Sequence, residues 1–269
     1  RGETMHVEER YKKIMMLLHA DKKIEIRQLA HSFQVSQETI RRDLRAMEIQ
    51  GRLVRVHGGA MLPENTPQPL GASELPVNIR AIINVAEKKT ICKYAAKQIQ
   101  NEDTIFIDNS TTCIYLYRYI PKDIQVTILT NSVSFLAECA KSLSSSHTVV
   151  FLGGILKSSN LSAYGTLALQ NAKQYFPCKA FISCTGIVSD AQITDSGIQE
   201  IDVKKTLMEN SQEVFLLADH TKFAPVGQIH LCNFADINHL ITDSVPDISY
   251  LRLSKELTEK IIVAQEERL

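Results

Sequence analysis

Residues 63–76, PENTPQPLGASELP, constrain this chain more than any other stretch. Pro63, Pro67, Pro69, Pro76 and Gly71 stand there among small polar residues with no apolar periodicity. Proline has no amide to give a helix or sheet, so the stretch is expected to run as an extended linker. The 269 residues then divide into a small domain at 7–62, the linker at 63–76 and a larger domain at 77–269.

Composition excludes several classes. At 44% hydrophobic and 22% charged, the chain is too apolar to stay disordered. No apolar run approaches the roughly 18 to 20 residues a membrane span needs, so no membrane association is expected. Residues 1–11 are charged and carry no secretory signal, and the native start is expected at Met5. The cysteines Cys92, Cys113, Cys139, Cys178, Cys184 and Cys232 are scattered, mostly in apolar stretches. They read as reduced, buried thiols of a cytoplasmic protein. No close Cys or His pairs exist to hold zinc, and neither metal nor cofactor is expected.

The formal net charge is zero, but unevenly spread: residues 1–62 hold 12 Lys+Arg against 8 Asp+Glu, and the remainder 18 against 22. A basic segment on an acidic body suits one domain that meets nucleic acid and one that does not.

Helical periodicity covers 7–20 (Tyr11, Ile14, Met15, Leu18) and 26–33 (Leu29, Ala30, Phe33). Gln34 and Val35 turn the chain, and Ser36 is placed to cap a third helix running to Ile49 and ended by Gly51. Ile40, Leu44 and Met47 face inward on that helix, and Arg41, Arg42 and Arg45 lie toward the other side. Residues 52–56 alternate as a strand before the turn His57-Gly58-Gly59. This spacing predicts a helix-turn-helix with 36–49 as the recognition helix. Ser36, Gln37, Thr39 and Arg41 would approach base edges in the major groove of double-stranded operator DNA. Arg42 and Arg45 would read guanine or hold phosphate, and Arg52, Arg55 and His57 would form a basic wing.

The run VSQETIRRDL at 35–44, followed by Gly51, Arg55 and His57-Gly58-Gly59-Ala60, resembles the winged helix-turn-helix of DeoR-type bacterial transcription regulators. The spacing from TIRRDL to HGGA matches as well as the core itself. The resemblance implies that Asp43 is a structural partner within the domain rather than a base reader.

From Asn84 onward, short apolar strands alternate with helical segments. Strands are expected at 104–108, 126–130, 148–152, 180–184, 214–218, 240–242 and 261–263. Helices are expected at 84–99 (Asn84 as cap), 111–119, 132–142, 167–175 and 202–210. Such alternation predicts an α/β domain, a mostly parallel sheet with helices on both faces. Ligands of such sheets bind outside the carboxyl ends of the strands. Those ends carry Asp108 with Ser110, Thr111 and Thr112, then Asn131, Gly153-Gly154, Thr185-Gly186, and Asp219 with Lys222. Hydroxyls and free amides where a helix starts make a phosphate site, paired glycines allow close backbone approach, and Lys222 is a candidate counter-charge. Together they predict a small anionic ligand.

The run at 87–89, FIDNSTT, LTNS, FLGG, residues 162–165, the segment around Glu200 and Asp202, and LADHTKF resemble the sugar-phosphate sensor domain of the same family, which is related to ribose-5-phosphate isomerase-like folds. The resemblance implies a phosphorylated sugar effector, with Asp108 and Glu200 or Asp202 meeting hydroxyls. By the same likeness Ser110, Thr111, Thr112 and Lys222 hold the phosphate, and Lys204 lies on a helix behind the pocket. The chain departs from the family at Thr185-Gly186, where many members have an acid before the glycine, and at Asn109-Ser110-Thr111-Thr112, where they have Gly-Thr-Thr. These variants look like those of regulators of deoxyhexose breakdown.

Three functions compete. A repressor released by a phosphorylated sugar would act as a homodimer or homotetramer to match paired half-sites. A sugar-phosphate isomerase would need a poised carboxylate, yet Cys184-Thr185-Gly186-Ile187 stands where isomerases carry Asp-Gly-Ala-Asp, and there is no Lys-Gly-Gly run. A constitutive DNA binder would leave the strand-end polar set without a use. The first reading accounts for both halves of the chain.

Overall fold

The structure is a computed structural model and describes residues 7–21, 23–49, 52–62, 77–81, 84–188, 191–223, 227–244 and 251–265. The expected linker at 63–76 and the expected helix stop at Gly51 lie outside the described residues. The chain forms two compact units. Residues 78–81 still belong to the first, and the second resumes at Asn84.

In the first unit, α1 (Val7–Asp21), α2 (Ile26–Phe33) and α3 (Gln37–Ile49) enclose Ile14, Leu18, Leu29, Phe33, Ile40, Leu44 and Met47, all buried. The turn between α2 and α3 rests on Gln34 in the left-handed region at φ 54°, its N–H bonded back to the last turn of α2. Ser36 Oγ accepts from Thr39 N at 3.1 Å and so caps α3. Three short antiparallel strands, β1 (Lys23–Glu25), β2 (Val54–Val56) and β3 (Gly59–Met61), pair in the order β1-β3-β2. A Cβ on Gly59 would stand 1.9 Å from the Ile24 carbonyl oxygen, so only glycine lets β3 lie this close to β1. This is a winged helix-turn-helix.

A single turn, α4 (Val77–Arg80), precedes the second unit. Its sheet holds β4 (Asp103–Ile107), β5 (Val126–Thr130), β6 (His147–Phe151), β9 (Lys179–Ile182), β12 (Glu213–Leu217), β14 (His239–Thr242) and β15 (Ile261–Val263). These seven strands run parallel in the order β15-β14-β12-β9-β4-β5-β6. Alternate residues of each strand enter opposite cores. Phe106, Leu129, Ile182 and Leu216 pack against α7 (Thr166–Ala172) and α8 (Ile201–Glu209). Ile105, Ile128, Phe181 and Phe215 pack against α5 (Val85–Ala96), α6 (Val133–Cys139) and the 3-10 helix Cys113–Tyr119. Helices thus cover both faces. A short α9 (Lys255–Thr258) leads into β15.

Three local expectations change. Residues 113–119 form a 3-10 rather than an α-helix; at its start Cys113 N donates to Ser110 Oγ and Tyr115 N to the Thr112 carbonyl. The segment 162–165, for which no strand was expected, contains β8 (Ser162–Tyr164), which pairs with β7 (Ile155–Lys157). A second sheet, β10 (Gly186–Val188), β11 (Gln192–Asp195) and β13 (Ile229–Asn233), is antiparallel and was not anticipated.

Candidate nucleic-acid interface and effector cleft

On α3 the side chains of Arg42 and Arg45 are exposed and make no hydrogen bond among the described residues. Ser36 and Thr39 are joined through their hydroxyls at 2.9 Å, and Arg41 binds Glu38 at 3.1 Å and Gln37 at 3.4 Å. The helix is seated by a buried pair. Arg10 Nε lies 2.7 Å from Asp43 Oδ2, and Arg10 Nη2 donates to Oδ1 at 3.3 Å. That forked geometry ties α1 to α3 and raises the Arg10 guanidinium above its ordinary value, the Asp43 hydrogen bond outweighing burial.

The wing residues separate. His57 is exposed in the turn between β2 and β3. Arg55 is fastened to α3, Nε to Glu48 Oε2 at 2.7 Å and its backbone N to Oε1 at 3.1 Å. Its hydrogen bonds hold the Glu48 carboxyl below its ordinary range. Arg52 is half-buried with its guanidinium 5.7 Å from the Tyr11 ring centre, and burial lowers its pKa. Its buried Nε has no partner among the described residues. The structure therefore groups Arg42, Arg45, Arg55 and His57 on exposed surface and turns Arg52 toward α1.

In the second unit the chain builds β4, β5 and β6 to one side and then returns to place β9 on the other side of β4. Strand order reverses between β4 and β9, where parallel α/β sheets open a crevice at their carboxyl ends. Asp108 lies there, fully buried. Its Oδ1 accepts from Ser110 N at 2.9 Å, and its Oδ2 accepts from Ser183 N at 2.9 Å and stands 2.9 Å from Lys204 Nζ. Lys204 also reaches Asp195 Oδ2 at 2.7 Å and donates to the Ser183 carbonyl at 2.9 Å. Burial alone would lower the Lys204 ammonium, but Asp108 and Asp195 hold it well above an ordinary lysine. Burial would raise the Asp195 carboxyl, and Lys204 overrides it to hold Asp195 low.

Around this triad the β4 loop keeps donors open. Ser110 N and Cys113 N are used locally, whereas the N–H groups of Thr111 and Thr112 donate no hydrogen bond among the described residues. Lys88, buried on α5, donates to Thr111 Oγ1 at 3.4 Å. Across the edge, Asp219 lies two residues past β12 and accepts from Thr221 N at 3.0 Å. Burial pushes its carboxyl up, but Lys222 and the Thr221 donors leave it below the ordinary range. Lys222 is half-exposed, and its ammonium makes no hydrogen bond among the described residues.

The other sequence-chosen residues spread along the edge. Asn131 is buried with Nδ2 donating to the Ala163 carbonyl at 3.1 Å, and its Oδ1 has no partner among the described residues. Gly153 and Gly154 adopt φ 70° and 108°, and a Cβ on Gly154 would lie 2.4 Å from the Tyr164 oxygen. Gly186 is not at a strand end: β9 stops at Ile182, and Gly186 opens β10 with its carbonyl accepting from Thr194. Glu200 is buried under the β7–β8 hairpin and accepts from Lys157 at 3.0 Å, Asn160 at 2.5 Å and the Ser162 hydroxyl. Asp202, two residues on, is exposed. Sequence reasoning missed Lys88, Ser183 and Asp195. Lys88 stood in the run at 87–89 that carries the resemblance but was given no role, and nothing local marks the other two.

A winged helix-turn-helix joined in one chain to a parallel α/β unit with open donors at its strand ends is the build of a transcription regulator with its own sensor. The chain belongs to the DeoR family: residues 10–66 match the DeoR-like helix-turn-helix domain and residues 83–244 the DeoR C terminal sensor domain. It is 34% identical over 257 residues to the HTH-type transcriptional regulator YulB of Bacillus subtilis (strain 168), covering 96% of each chain. It is 26% identical to the glycerol-3-phosphate regulon repressor of Escherichia coli (strain K12), covering 91% of this chain and 94% of that one. Among solved structures, ribose 5-phosphate isomerase A of Methanocaldococcus jannaschii overlaps at TM-score 0.39 and 15% identity, over 53% of this chain and 56% of that chain. No helix among the described residues is long and apolar enough to cross a membrane.

Proposed function

We propose that this regulator represses a sugar-catabolism operon, acts in the cytoplasm as a homodimer or homotetramer, and has its operator affinity set by a phosphorylated sugar. The observation that carries the effector reading is the pair of open amides at Thr111 and Thr112 beside the buried Lys88, past the carboxyl end of β4. An anion there gains donors that the protein leaves unused. The proposed joining segment is residues 63–76, as read from the sequence, although residues 78–81 still belong to the first compact unit. The proposed sugar class is a deoxyhexose-derived ketose phosphate, supported by the Ser-Thr-Thr-Cys and Ser-Cys-Thr-Gly segments. Repression is supported by the relative whose name is the glycerol-3-phosphate regulon repressor.

We propose no catalysis. A proton-transferring carboxylate must be free to change its charge at the reacting carbon. Asp108 and Glu200 are instead saturated by lysine and neutral donors.

Effector control follows from differential binding. A sugar phosphate that prefers the non-operator arrangement by about 2 to 3 kcal/mol weakens DNA binding roughly thirty- to hundredfold. Fluorescence anisotropy of a labelled duplex from upstream of the protein's own operon tests this at fixed salt, with fructose 1-phosphate, ribose 5-phosphate and glycerol 3-phosphate among the probes. Sequence-dependent binding reversed by one probe is the expected result, and binding no better than to random duplex sinks the reading for that locus. In the same assay Arg42→Ala is expected to weaken operator binding roughly tenfold or more without altering effector binding. Lys222→Ala should do the reverse. If both changes affect solubility alone, the two-site model fails.

A further inference from the structure

Asn84 stands where the second unit begins, after a segment that belongs to the first. It occupies the position before α5 that a capping residue would take, yet its side chain makes no cap bond and its backbone is left-handed at φ 51°. A capping asparagine has extended backbone and accepts from the first turn of its helix. This one instead donates Nδ2 to Asp219 Oδ1 at 3.1 Å and to Thr221 Oγ1 at 3.4 Å. Both partners lie on the loop after β12 that also carries Lys222. One turn further, Lys88 fastens the same helix start to Thr111 on the β4 loop. The first turn of α5 is therefore bonded to both loops that frame the proposed phosphate site.

We propose that Asn84 is the positioning residue through which the state of the β12 loop reaches the chain leading to the DNA-binding unit; this rests on the effector reading above. An anion drawing on Lys222 and on the Thr111 and Thr112 amides takes that lysine from Asp219 and shifts the loop whose Asp219 and Thr221 oxygens accept from Asn84. Releasing those bonds frees a residue held in an uncommon backbone conformation, which asparagine tolerates better than most side chains. The change is delivered at the point where the chain leaves the unit, so no long path through the core is needed. Asn84 need not touch the ligand.

The test separates coupling from binding. Asn84→Gly keeps the left-handed backbone and removes only the side chain. Operator affinity without effector is measured for the wild type, Asn84→Gly, Thr221→Val and the double variant. Thr221→Val is expected to shift affinity in the wild-type background and to lose that effect in Asn84→Gly, a coupling of roughly fivefold. Equal effects in both backgrounds, or none in the wild type, overturn the proposal. In a second arm, a probe such as fructose 1-phosphate that weakens operator binding by the wild type is expected to bind Asn84→Gly by calorimetry and no longer weaken its DNA binding. Retention of the full response overturns the proposal. If the wild type answers no sugar phosphate, the effector reading fails, and the ligand-free cycle still decides the role of Asn84. Should Asn84→Gly not fold, Asn84→Asp takes its place, setting a carboxylate against Asp219.

Discussion

Asp43→Ala is expected to unfold the amino-terminal unit and leave the carboxy-terminal unit folded. The substitution takes the forked carboxylate away from the Arg10 guanidinium, which is 4% exposed. Removing one partner of a buried ion pair costs about 3 to 5 kcal/mol. A domain of roughly 60 residues buries too little surface to absorb that loss. Calorimetry should show one transition where the wild type shows two, together with loss of operator binding. The double change Arg10→Met with Asp43→Leu is expected to restore most of the stability, because apolar residues of similar volume often replace such pairs at little cost. A two-transition melt for Asp43→Ala, displaced by less than about 1 kcal/mol, would mean that water reaches the pair.

The second large effect is expected for Lys204→Ala. The buried Asp108 and the part-buried Asp195 share this ammonium, and both would lose it. The expected loss is again about 3 to 5 kcal/mol, now in the carboxy-terminal unit. Its dependence on pH gives a sharper check. In the wild type the Asp195 carboxyl is held below its ordinary value of 3.8. Its contribution is therefore present above that value and is lost as pH falls through the depressed one. Without Lys204, burial raises the Asp195 carboxyl instead, and stability should rise as pH falls. Melting curves at several acidic pH values measure the sign. A variant that loses stability on acidification as the wild type does would show that Lys204 does not govern these carboxylates.

Much of this molecule was legible in the sequence, for reasons that also explain what was not. The helix-turn-helix could be read because Ile40, Leu44 and Met47 keep helical spacing and Ser36 caps the helix they lie on. The parallel strands were legible because buried strands read as short apolar runs between turns. The antiparallel sheet escaped notice because β10 and β11 are only 3 and 4 residues long and show no clean alternation. The site was harder. A lysine in a sequence reads as solvated, so periodicity did not announce that Lys88 is buried, and Lys204 was placed behind the pocket only by the family resemblance. Asn84 was expected to cap α5 because the residue type and position fit; long-range partners took its side chain instead. Arg52 looked like part of a basic wing until the Tyr11 ring was seen beside it.

The two buried lysines enter the carboxyl edge of the sheet from opposite sides, Lys88 from α5 and Lys204 from α8. Their partners Thr111 and Asp108 sit three residues apart on one loop, so peeling either helical layer from the sheet disturbs a polar contact that steadies the other. Amide hydrogen exchange should register this as a single opening shared by α5 and α8 rather than as independent fraying of two lids. In mechanical terms the loop after β4 is a rivet through a laminate, and an anion seated on it would tighten both plies at once.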